Sequence, residues 1–131
     1  MVLLDTDILV GYLRGDEKAS KEIETFSAKG QELKVSAVTA MELMHGAKLN
    51  PDADKKLKDV NTLLGRIKVI PFELKAADHG STILTLLKKK GSMIGLPDIQ
   101  IGATALALQD SIVTRNIKDF SRIPGLRIHR W

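Results

Sequence analysis

Short apolar runs alternate along the chain with longer segments in which apolar residues recur at helical spacing. Val2-Leu3-Leu4 is a first strand ended by Asp5, and Asp7 to Leu13 reads as a short helix that stops near Gly15. Asp16 is a good N-cap for a polar helix striped by Ile23 and Phe26, which ends at Gly30, where a left-handed residue closes helices. Leu33 to Ser36 is a second strand. From Thr39 to Leu49 a helix carries Met41, Leu43, Met44 and Ala47 and is closed by Asn50-Pro51. A further helix from about Asp52 to Gly65 precedes a third strand at Val69-Ile70. The segment from about Phe72 to Lys90 is a helix striped by Leu74, Ala77, Ile83, Leu84 and Leu87, with Gly91 at its end. Pro97 opens a helix through Leu108 so apolar that it belongs deep in the core. Ile112-Val113-Thr114 is a fourth strand, Asn116 to Phe120 a turn or short helix, and Leu126-Arg127-Ile128 an edge strand. This alternation predicts an α/β fold with a mainly parallel central sheet of four to five strands and helices on both faces.

At 131 residues the chain is expected to form one domain, 1–131, long enough to bury a core without staples. There is no cysteine, which excludes disulfides, thiolate metal sites and a thiol nucleophile. No apolar run approaches the ~18 residues of a membrane-spanning helix, and no basic segment followed by an apolar run marks a signal peptide, so a cytoplasmic location is expected. A formal charge of +4 and a pI near 9.4 suit a polyanionic partner. One Trp, one Tyr and three Phe, widely scattered, do not make a base-stacking platform. Lys88-Lys89-Lys90 closes a helix, where cations complement the dipole.

The informative feature is where the carboxylates fall. Asp5 follows the first strand, Glu42 lies in the first turn after the second, and Asn116 and Asp119 follow the fourth. Ligand sites of open α/β sheets lie outside the carboxyl ends of the strands, so these residues face one crevice. Asp98, in the first turn of the helix before the fourth strand, joins them only if that helix begins at the same edge, which chain connectivity leaves open. Each acid also has a plain structural role to fill. Thr39-Ala40-Met41-Glu42 matches a capping box, Asp5 can cap the helix after it, Asp98 can complement a helix dipole, and Asp119 suits a turn. Convergence of several such groups favours a site, because crowded carboxylates repel and raise one another's pKa unless a cation is present. Oxygen ligands without Cys or clustered His select Mg²⁺ or Mn²⁺, and such an ion suits phosphodiester hydrolysis.

Four segments in order resemble the motifs of PIN-domain ribonucleases, most of all the VapC toxins of toxin–antitoxin operons. They are Val2-Leu3-Leu4-Asp5-Thr6-Asp7; Ser36 to Leu43 followed by Gly46-Ala47; Asp98 to Ala103; and Val113-Thr114-Arg115-Asn116 through Asp119-Phe120. The tail Arg122 to Ile128 and Trp131 extend the likeness over nearly the whole chain. The resemblance implies a PIN-like parallel sheet, Asp5, Glu42 and Asp98 as acidic metal ligands, and Thr114 and Asn116 lining the site. It also implies a homodimer, a cognate VapB-like antitoxin covering the crevice, and RNA, often tRNA, as substrate. Asp7 stands where Asn is usual, and Asn116 stands where many members carry a fourth acid, for which Asp119 is the substitute. Thr6, Asp7, Ser36, Thr39, Thr114 and Arg115 are expected to contact substrate or orient the acids.

Three other readings compete. A haloacid-dehalogenase-like phosphatase would use Asp5 of Asp5-Thr6-Asp7 as a covalent nucleophile, but Leu9 sits where that family has Thr or Val, and Glu42 has no role there. A di-metal bundle would use Glu42-Leu43-Met44-His45, but no second such segment exists, and His45, His79 and His129 share no ligand spacing. A non-catalytic basic module would bind RNA or protein without metal.

Overall fold

The computed structural model describes residues 1–131 and contains each expected strand and helix. In chain order these are β1 (Val2–Leu4), α1 (Thr6–Leu13), α2 (Glu17–Ala28), β2 (Leu33–Ser36), α3 (Ala37–Leu49), α4 (Ala53–Leu64), β3 (Lys68–Ile70), α5 (Leu74–Lys90), α6 (Leu96–Leu108), β4 (Ser111–Thr114), α7 (Ile117–Phe120) and β5 (Ile128–Arg130). The sheet runs β3-β2-β1-β4-β5, and every pair is parallel. From β1 the chain steps outward to β2 and β3, then crosses back to β4 and β5. The order therefore reverses between β1 and β4, where α/β sheets open a ligand crevice.

The central strands β2, β1 and β4 are buried on both faces because their side chains alternate between two cores. Val2 and Leu4 of β1, Val35 of β2 and Val113 of β4 pack with α1 to α4, against Ile8, Leu9, Ile23, Phe26, Leu43 and Val60. Leu3 and Ile112 point the other way, toward Ile83, Leu87, Ile99, Ile101 and Phe120 of α5, α6 and α7. As expected, α6 is deeply buried, with Ile99, Ile101, Gly102, Ala103, Thr104 and Ala105 all shielded from solvent. At the amino edge, buried Lys34 reaches past β1 to buried Asp110, Nζ to Oδ2 at 2.9 Å. No helix is long and apolar enough to cross a membrane.

Helix ends follow local chemistry. The Asp16 carboxylate accepts from Ala19 N at 3.0 Å, and Gly15, Gly30 and Gly91 take the positive φ angles that end helices. Other expectations are corrected. There is no Thr39–Glu42 capping box: α3 starts at Ala37 directly after the strand, and Ser36 caps it by accepting from Thr39 N at 3.0 Å. Val38, Ala40, Leu43 and Ala47 are buried in α3, while Met41 is exposed. In α5 the buried stripe is Ala76, Gly80, Ile83 and Leu87; Leu74 and Leu84 face outward. The last strand is Ile128–Arg130, two residues beyond Leu126 to Ile128, because Gly125 turns the chain first and Ile128 is the residue that pairs with Ile112.

Candidate functional site

The strand register builds the site. Asp5 N donates to Val113 O at 3.0 Å, carrying the β1–β4 ladder one residue beyond the strand and bringing Asp5 beside Thr114. Asp5 is extended (φ −74°, ψ 164°) and caps α1: one carboxylate oxygen accepts from Thr6 N at 2.8 Å. The other accepts from Thr114 Oγ1 at 2.7 Å. Thr114 is itself held, its Oγ1 accepting from Asn116 N at 2.9 Å.

Glu42 reaches the same edge from α3. Thr6 Oγ1 donates to Glu42 Oε1 at 2.7 Å and lies 3.1 Å from Thr39 Oγ1. A carboxylate can only accept, so the Thr6 proton points to Glu42 and the Thr39 hydroxyl must donate to Thr6. Ser36 and Thr39 are buried, and they act on Glu42 through Thr6 rather than facing the crevice.

Asp98 does join the group. Asn116 Nδ2 donates to Asp98 Oδ2 at 3.3 Å and to Asp119 Oδ2 at 3.2 Å, so α6 begins at the carboxyl edge and one amide links two acids. Asp119 stands behind this amide and is not part of the crevice wall, whose lining includes Asp5, Thr6, Asp7, Glu42, Asp98 and Asn116 around about 710 Å³. Both oxygens of Asp7 are taken by protein donors: Oδ2 accepts from Arg115 N at 2.8 Å, with Thr114 Oγ1 at 3.3 Å, and Oδ1 accepts from Trp131 Nε1 at 3.0 Å.

The electrostatics of the crevice are those of crowded acids. Burial pushes the Asp5 carboxyl from 3.8 up to about 7; the Thr114 hydrogen bond opposes this and the neighbouring Asp7 and Asp98 charges add to it. Asp98 is also raised, first by burial and then by the charges of Asp119, Glu42 and Asp7. These residues fit a hard divalent cation by donor chemistry, since oxygens supply the ligands and a positive charge would relieve each of these repulsions. No three of the acids close on one point in this arrangement. Asp5, Glu42 and Asp98 are each held by a hydroxyl or amide donor. His45 is exposed on α3 and His129 lies against Phe26 and Glu22, which removes histidine from the site.

Arg14 and Trp131 also line the crevice and had not been singled out as site residues. Trp131 is joined to the site by the register of β5, which pairs Arg130 with Thr114 and so sets the next residues, Trp131 and Arg115, side by side. A strand shifted by two residues in the sequence reading hid that neighbour.

Comparison with known proteins agrees with this architecture. Residues 2–126 match the sequence pattern described as PIN domain. The chain is similar to the tRNA(fMet)-specific endonuclease VapC of Salmonella typhimurium, 30% identical over 98% of this chain and 96% of the relative. It is also similar to Ribonuclease VapC2 of Rickettsia felis, 29% identical over the same shares. Among solved structures, VapBC2 from Rickettsia felis bound to a promoter DNA fragment superposes with a TM-score of 0.93 at 28% identity, covering 100% of this chain and 99% of that one. DNA-bound VapBC from Salmonella typhimurium gives 0.91 at 30% identity, covering 99% and 97%.

Proposed function

We infer, from the premise that this chain belongs to the PIN domain family, that it is a metal-dependent endoribonuclease of the VapC kind, a toxin neutralised by a cognate VapB-like antitoxin. Residues 1–131 are proposed to act as one PIN-like domain in the cytoplasm, as a homodimer. Asp5, Glu42 and Asp98 would hold the cation, Mg²⁺ or Mn²⁺, with Asp119 as a fourth acid beside Asn116. When bound, the cation supplies Lewis-acid polarisation and charge neutralisation at the phosphodiester.

The observation that carries this reading is that Asp5, Glu42 and Asp98 line one crevice at the switch point of a parallel sheet, with Asp5 and Asp98 held above the usual carboxylate range. Chemically, each residue has a distinct task. Thr114 and the Thr6 amide fix the Asp5 carboxylate, so its two oxygens present a defined direction to the crevice. Thr6, backed by Thr39, aims Glu42. Asn116 holds Asp98 toward Asp119 and keeps these two charges from separating further. An open crevice of this volume admits a strand of RNA rather than a small metabolite enclosed on all sides. tRNA is the substrate class to try first, since the Salmonella relative is named for it.

The test is cleavage of a mixed tRNA pool by purified protein with Mn²⁺, then with EDTA, and by Asp98→Asn in parallel. Discrete fragments that need both the metal and Asp98 are expected. Metal-independent RNA binding with no cleavage under any cation would replace this reading with the non-catalytic module, and a phosphorylated Asp5 would replace it with the phosphatase.

A further inference from the structure

We propose that Arg115 is a phosphate clamp for the RNA strand and that Trp131 is the residue that positions it; the proposal rests on the ribonuclease reading above. Arg115 follows β4 directly, between Thr114, which holds Asp5, and Asn116, and it lines the acidic crevice together with Asn116. Its guanidinium lies over the Trp131 ring with Cζ 3.5 Å from the ring centroid, and its Nε donates to Trp131 O at 3.4 Å. The Nη groups donate to nothing in the protein. The chain's ion pairs are Lys34–Glu32, Lys34–Asp110, Lys68–Glu32 and His129–Glu22, so no side-chain carboxylate pairs with Arg115 although several acids line the same crevice. An oriented, exposed pair of Nη donors without a side-chain partner is suited to a phosphate oxygen pair.

The platform beneath it is built. Trp131 is buried to 3% exposure, and its Nε1 donates to Asp7 Oδ1 at 3.0 Å. The other Asp7 oxygen accepts from the Arg115 main-chain N at 2.8 Å, so one carboxylate fixes both members of the stack. Gly11 of α1 leaves the room the ring needs: a Cβ there would stand 3.1 Å from the Trp131 ring and 3.0 Å from Ala19 Cβ. Asp7 is thereby committed to holding the clamp rather than to a cation. Because Arg115, Asp5 and Asp98 line one crevice, a strand drawn in by Arg115 would have a phosphodiester presented to those acids.

The experiment is a binding titration of a fluorescein-labelled single-stranded oligoribonucleotide of mixed sequence, with Mg²⁺ present and in an Asp98→Asn background that leaves the probe intact. In that background, Arg115→Ala is expected to weaken binding about tenfold and to reduce the dependence of log K on log salt by about 0.7, the loss of one phosphate contact to a single strand. Trp131→Phe keeps the charge, so it should weaken binding several-fold with the salt slope unchanged. A merely structural role for Arg115 would not move the slope. Trp131 is the only tryptophan, so its emission should change on saturation with RNA and cease to change in Arg115→Ala. An unchanged affinity and salt slope in Arg115→Ala, while cleavage by the otherwise native enzyme still depends on Asp98, overturns the clamp alone. Failure of the parent protein to bind the probe overturns the clamp, and the ribonuclease reading falls with it only if the tRNA pool is also left uncut.

Discussion

Removing the charge of Asp5 should stabilise the metal-free protein at neutral pH. Folding buries this carboxyl to 5% exposure and lifts its pKa from 3.8 to about 7. Between those values the folded state holds a proton that the unfolded chain has released, so stability falls as pH rises through this window and is flat above it. At about 1.4 kcal/mol per tenfold change in proton affinity, the cost of the buried charge above pH 7 is about 4 kcal/mol. Asn at position 5 avoids that cost and still caps α1, since Asn is as good an N-cap as Asp. It weakens the bond now donated by Thr114 Oγ1 at 2.7 Å, worth about 1 kcal/mol. Urea unfolding in EDTA at pH 8 should therefore find Asp5→Asn more stable than the parent by about 2–3 kcal/mol. Near pH 4 the advantage should vanish or reverse, because the folded parent carboxyl is then protonated and the unfolded one is only about half ionised, so little of the cost remains. An Asp5→Asn variant that is less stable at pH 8, with the parent's pH dependence intact, would show that Asp5 is not a strained buried charge.

Other outcomes follow from the same geometry. Asp98→Asn should abolish metal-dependent RNA cleavage with little change in circular dichroism, since only charge is removed; residual cleavage above one part in a hundred would place the metal elsewhere. Thr6→Val, which takes the proton donor from Glu42 Oε1, should lower the cleavage rate about tenfold or more. Lys34→Met should leave Asp110 as a buried unpaired carboxylate and cost about 3 kcal/mol or more, whereas the double change with Asp110→Leu should recover most of it, both read by urea unfolding.

Most of this fold was legible because its signals are local. Apolar triplets such as Val2-Leu3-Leu4 have no other place than a sheet covered on both faces, and Asp16, Gly30 and Gly91 mark helix ends by their own conformational chemistry. Expectations failed where two local signals competed. Ser36 and Thr39 are both good caps, and what decides between them is that the helix follows the strand without a loop. Freeing Glu42 from a cap is what lets it enter the crevice. Leu74 carries an apolar side chain on an outward-facing turn, which periodicity alone cannot distinguish from a buried one. The grouping of Asp5, Glu42 and Asn116 was readable from strand polarity, whereas Asp119, expected to face the crevice with them, stands behind the Asn116 amide. That Asp98 meets them depends on which edge α6 starts from, and only packing settles this. The Trp131–Arg115 stack depends on the register of β5, a contact across the sheet that no sequence window contains.

The most direct test of the central claim, that these acids are gathered for a divalent cation, is a calorimetric Mn²⁺ titration at pH 7 in two buffers of different ionisation enthalpy. With Asp5 titrating at about 7, roughly half of the molecules carry a proton there, which the cation must displace. The account predicts binding with net proton release, lost in both Asp5→Asn and Asp98→Asn. Binding that is equally strong in those variants, or that releases no proton, would contradict it.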